Sequence, residues 1–134
     1  MSMSGPRVPA RREGNKSTPP VKGSTKIWNG ALVVMDTGLA VPGKAATGLV
    51  TLGIATETVD NTNGGDGDVK VTVERGCFKF FNSTSTDAIA AADIGKDCYV
   101  VDDQTVAKTN GTNTRSVAGK VVDVDSDGVW VQVG

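Results

Sequence analysis

Asp123, Asp125 and Asp127, followed by Gly128, have the spacing of the first half of a calcium-binding loop, D-x-D-x-D-G. Such a loop also needs a bidentate Glu at its twelfth position, which falls here on Gly134, and helices on both sides. The flanking residues alternate like strands instead, so the run reads as an acidic hairpin turn. Asp66 and Asp68, in a Gly-rich stretch, have still less of a ligand pattern. The expectation is therefore no metal and no cofactor.

Catalytic residues are equally hard to assemble. The chain has no histidine, which removes the commonest general base and the commonest transition-metal ligand. Cys77 and Cys98 have no base to activate them, and two cysteines make neither a disulfide framework nor a metal cluster. No nucleophile elbow, phosphate-binding loop or dinucleotide fingerprint is present. The expected class is not an enzyme.

The charge is distributed unevenly. Residues 1–26 carry Arg7, Arg11, Arg12, Lys16, Lys22 and Lys26 against Glu13 alone, a net of +5. Residues 27–134 hold 8 basic and 14 acidic side chains, a net of −6. Four of the 5 prolines (Pro6, Pro9, Pro19 and Pro20) also lie before residue 27, with almost no large apolar side chain. This composition predicts an extended basic arm over 1–26 joined to a separate body over 27–134 that folds without it. The arm has no aromatic to stack on bases and is joined to an acidic body, which argues against direct nucleic-acid binding. Addition to a neighbour's sheet edge, or a path along a groove, suits it better. Its candidate partner-binding residues are Arg7, Arg11, Arg12, Lys16, Pro19, Pro20 and Lys22, with Trp28 anchoring the junction.

The body must be built from strands. Apolar residues make up 38 % of the chain and aromatics only 4 %, which suits a thin core of β-branched side chains. Ala31 to Met35 and Leu49 to Thr56 are short apolar runs, with Gly53 marking a bulge or a close approach. Asp60 to Asp68 is polar throughout and is expected to be exposed and mobile. Val69, Val71 and Val73 alternate with polar residues, and Cys77 to Phe81 continues as a strand. Thr86 to Ile94 has the only helical character, of one or two turns. Lys96–Val101, Thr105–Lys108, Ser116–Val124 and Val129–Val133 read as a meander. The sum is an all-β fold, a barrel or sandwich of about seven short strands. Trp130 falls on the opposite face of its strand from Val129, Val131 and Val133. For Trp28 and Trp130 alike a place in the core is the favoured expectation. No run has signal-peptide or membrane-spanning length, so synthesis in a cytoplasm is expected.

Three stretches carry a resemblance. They are Ile94-Gly95-Lys96-Asp97-Cys98-Tyr99-Val100-Val101-Asp102-Asp103, then Val117 to Val124, then Asp127-Gly128-Val129-Trp130-Val131. Together with Gly48 to Ala55 and Val73 to Phe80, they resemble the capsid cement or decoration proteins of tailed bacteriophages. Arg75, Cys77 and Lys96 depart from the residues usual there. The resemblance implies a small β-barrel, β-tulip or jelly-roll body and a structural protein on the exterior of a phage head, in the virion, with the major capsid protein as partner. It further implies a dimer or trimer, with no membrane and no nucleic acid contacted. A receptor- or glycan-binding module is the alternative, and it requires an exposed aromatic platform that Trp28, Trp130 and Tyr99 are the candidates to supply.

Overall fold

An uninterrupted apolar run such as Ala31-Leu32-Val33-Val34-Met35 has no polar face to offer water, so it must be covered on both sides. The computed structural model, which describes residues 4–6 and 14–134, covers it in that way. Twelve strands are formed among the described residues. They are β1 (Lys16–Ser17), β2 (Thr25–Ile27), β3 (Leu32–Asp36), β4 (Leu39–Pro42), β5 (Val50–Ala55) and β6 (Val59–Asn61). The rest are β7 (Val73–Glu74), β8 (Gly76–Asn82), β9 (Asp97–Val100), β10 (Thr105–Ala107), β11 (Val117–Asp125) and β12 (Gly128–Val133). The fold is all-β.

Strands β8 to β12 close a barrel in the order β10-β8-β12-β11-β9, sealed where β10 also pairs with β9. The β11–β12 hairpin and the antiparallel β8–β12 pair follow from the alternating sequence. The parallel β8–β10 pair, Thr105 opposite Phe81, is the link the meander reading lacked. Closure leaves this half of the molecule without free sheet edges. A second, curled sheet has the order β1-β7-β5-β3-β4, with β2 and β6 paired beside it. The expected helical passage is two single 3-10 turns, Ser85–Asp87 and Ala91–Asp93.

Strand β3 separates two cores. Leu32 and Val34 face the barrel interior with Phe80, Val100, Val106, Val129 and Val131. Ala31 and Val33 face the other way, onto Val21, Ile27, Ala40, Ala55, Val71 and Val73. Each fully buried valine or leucine contributes up to about 1.5–3 kcal/mol, so one strand draws on both reserves.

The boundary expected between residues 26 and 27 is not where the body begins. Residues from Asn15 onward are built into the second sheet, with Val21 fully buried. Lys16 pairs with Glu74, and Thr25 with Asn61. Proline has no N–H but keeps its carbonyl, which the proline-based expectation undervalued. Pro19 O accepts from Val71 N–H at 3.1 Å, and Pro20 O from Ala40 N–H at 2.7 Å. Residues 7–13 and 1–3, where the rest of the expected arm falls, lie outside the described residues.

The polar loop over 60–68 also has more order than its composition suggested. The Asn61 side chain is buried and donates to the carbonyls of Val21, Lys22 and Gly65. Asp66 accepts from Gly23 N–H and Asp68 from Gly65 N–H, both at 2.8 Å. The loop thereby locks the N-terminal segment in place.

Gly53 is both bulge and close approach. The β3–β5 register shifts beside it, its φ is +154°, and a Cβ there would lie 2.1 Å from Glu74 O. Gly53→Ala should therefore lower stability by about 2–4 kcal/mol, read as an earlier midpoint in urea unfolding. An unchanged midpoint would show that the β5–β7 contact is looser than described.

Candidate functional site

The acidic run between β11 and β12 is a hairpin turn. Asp125 Oδ1 accepts from the N–H groups of Asp127 at 2.8 Å and Gly128 at 3.1 Å, and meets Lys79 Nζ at 3.0 Å. Asp123 Oδ1 accepts from Val124 N–H at 2.8 Å. These carboxylates are engaged in shaping the turn and in pairing Lys79. Among the described residues no group of three or more Asp, Glu, Cys or His is placed to hold a metal ion.

Cys77 points outward from β8 and Cys98 inward from β9, and both are free thiols. The two strands are not neighbours in the barrel. Burial pushes the Cys98 thiol up to about 12, so it behaves as an apolar filler.

The basic and proline candidates are strung along the body rather than gathered. Lys16 and Lys22 are exposed, Pro19 and Pro20 half-buried, and all four follow the second sheet from its β1 edge to β4. Arg7, Arg11 and Arg12 lie outside the described residues.

The tryptophans correct an expectation. Trp28 is 58 % exposed and Trp130 37 % exposed, so neither belongs to the core. A five-stranded barrel lined by valines has little room for an indole, and strand alternation turns Trp130 outward. Each ring carries a lysine instead, with Lys26 Nζ 3.9 Å and Lys79 Nζ 5.8 Å from the respective centroids. Tyr99 is half-buried in β9.

Trp28 stands over a cleft of about 460 Å³ lined by Asn29, Gly30, Ala31, Asp103 and Gln104. Gly30 and Gln104 also border a second hollow of about 420 Å³, which reaches Lys79, Phe81 and Asp127. The combined cleft lies on the seam between barrel and sheet. Leu32 N–H donates to Asp103 O, and Phe81 N–H to Gln104 O, each at 2.8 Å. Gly30 N–H donates to Ala55 O at 2.8 Å. Burial, and then neighbouring Asp102, raises the Asp103 carboxyl above its ordinary value. Phe81, as exposed as Trp28, was missing from the sequence candidates, although the alternation of Cys77 to Phe81 places it outward.

A third groove, of about 540 Å³, runs between the start of β5 and the start of β11, beside Gly134. Val50 (61 % exposed) and Val117 (44 %) form its apolar rim. Its walls are tied together by the Thr51 hydroxyl, which donates to Val117 O at 2.6 Å. Ser116 adds a second tie, donating to Ala46 O and accepting from Leu49 N–H. Gly76, at the start of β8, pairs with Val133, whereas Phe81 lies near its end. The groove and the Trp28 cleft therefore mark opposite ends of the barrel, about 17 Å apart by strand rise.

No family model, curated protein or solved structure matches the chain. No helix among the described residues is long and apolar enough to cross a membrane.

The hairpin turn makes stability depend on pH. The Asp127 N–H, and then Lys79, holds the Asp125 carboxyl below its ordinary value of 3.8. That contribution is complete above the unfolded-state value and fades as pH falls through the folded-state value. Asp125→Asn should lower the thermal midpoint at neutral pH, and the gap from the parent should narrow as pH falls below the ordinary carboxyl value of 3.8. A gap independent of pH would remove the carboxylate's charge from the account.

Proposed function

We propose that this chain is a structural decoration protein of a bacteriophage head, bound to the major capsid protein on the capsid exterior. The reading draws on the resemblance over residues 94–103, 117–124 and 127–131, and one observation carries it. The chain enters the body at the end where Val50 and Val117 are exposed. Asn15 O accepts from Arg75 N–H at 2.6 Å, and Gly134 sits against the Arg75 side chain. Gly134 borders the Val50–Val117 groove. An apolar rim and Asn15, which Arg7, Arg11 and Arg12 precede in the sequence, thus belong to one end of the molecule.

That combination suits a surface that is apolar at its centre and acidic around it. Exposed valines scattered singly need no explanation, but two facing each other across a groove, at the end where Asn15 enters the body, suit a docking end. The contacts are modest for one copy. A dimeric or trimeric assembly repeated over capsid symmetry would multiply them into high avidity, without any catalytic step.

Co-sedimentation with heads assembled from the cognate major capsid protein tests the reading. The full chain should sediment with the heads. Val50→Asp, Val117→Asp and removal of residues 2–13 should each weaken binding at least tenfold, about 1.4 kcal/mol. Circular dichroism should show all three variants folded, because the truncation stops short of Asn15. Failure of the full chain to bind, or parent-like binding by all three folded variants, would contradict it.

A further inference from the structure

The opposite end of the barrel carries a site that capsid docking does not use. We infer that the Trp28–Phe81 cleft binds an uncharged oligosaccharide. An exposed indole and an exposed phenyl ring border two adjoining hollows that share Gly30 and Gln104. The flat C–H face of a pyranose is the chemical complement of an aromatic ring left open to water. Lys26 covers part of Trp28, yet more than half of that residue's surface stays open.

The polar groups in the cleft favour hydroxyls over an apolar partner. The side-chain amides of Asn29 and Gln104 make no hydrogen bond among the described residues. Among the described residues no other side chain or N–H engages the Asp103 carboxylate beyond its own backbone. Two amides and a carboxylate supply both donors and acceptors, which is what vicinal sugar hydroxyls need. A protein surface laid over them would bury these groups without sure partners. The backbone beneath is fixed by the Leu32, Phe81 and Gly30 hydrogen bonds, so little ordering cost attends binding.

Charge selects the class of sugar. Lys79 is already paired with Asp125 and Asp127, and Lys26 lies over the indole and near Asp60. The charge left facing the cleft is that of Asp103, with Asp102 next to it. Sialylated or sulfated glycans would meet repulsion there, whereas neutral hexose or N-acetylhexosamine chains would not. The inference does not depend on the docking reading, because the two sites share no residue.

Titration of the full chain with cellotetraose, maltotetraose and tetra-N-acetylchitotetraose, followed by amide NMR, tests it. A sialylated lactose serves as the anionic control. At least one neutral probe should bind with a Kd of roughly 0.1–1 mM and shift the Trp28 indole and Gln104 signals. Trp28→Ala and Phe81→Ala should each weaken it at least tenfold while the remaining spectrum keeps its native dispersion. Val117→Asp, at the far end, should bind the probe as the parent does. The inference fails if none of the three neutral probes binds, if only the anionic control binds, or if both aromatic variants bind like the parent. Self-association that Trp28→Ala abolishes would overturn it too, giving the cleft to a second copy.

Discussion

Over Leu32 to Val34, strand β3 has water on neither face, and the remaining architecture is arranged around that burial. Leu32 and Val34 complete the interior of a closed barrel, while Ala31 and Val33 complete the core beneath a curled sheet. Neither half has enough apolar surface to be a generous core alone, because the chain is built from valine and alanine with few aromatics. Sharing one strand lets two thin cores stabilise each other. Hydrogen bonds at the seam, such as Leu32 N–H to Asp103 O and the Thr51 hydroxyl to Val117 O, fix the two halves in one orientation.

The binding surfaces follow from this constraint. A barrel of five strands leaves an interior that valines fill, so alternation sends Trp130, Lys79 and Phe81 to the outside. The β9–β10 turn, pulled onto the start of β3, brings Asp103 and Gln104 beside Trp28. At the other end, the bulge at Gly53 and the ties from Thr51 and Ser116 hold β5 against β11, and a Val-rimmed groove remains between them. One body thus has two chemically different ends: one apolar, where Asn15 enters the sheet, the other aromatic and acidic. Under the proposed decoration role, one end would dock while the other faces outward.

Much of the fold was legible in the residues. The alternation at Val129, Val131 and Val133, the acidic turn, the Gly53 bulge and the all-β class all followed from period, turn chemistry and the missing helical pattern. Three things did not follow. The parallel β8–β10 pair is a long-range closure that no local pattern encodes. The N-terminal segment looked detachable because proline and lysine content concealed Val21, a single buried anchor, and the carbonyls that prolines still offer. The tryptophans were assigned inward by their size, whereas the narrowness of the barrel is a property of the assembled sheet. The cleft escaped notice for the same reason: Trp28, Phe81 and Gln104 are far apart in sequence and meet only after the halves join.

The central claim is that barrel and sheet are one cooperative body because they share β3. Native-state hydrogen exchange tests it most directly, resolved at the amides of Val34 in β3, Val100 in β9 and Val131 in β12, and of Val73 in β7. If the claim holds, these amides exchange only through global unfolding, with one common free energy that rises and falls together on mutation. A β3 and β7 set that opens at distinctly lower free energy, while the barrel stays protected, would contradict it.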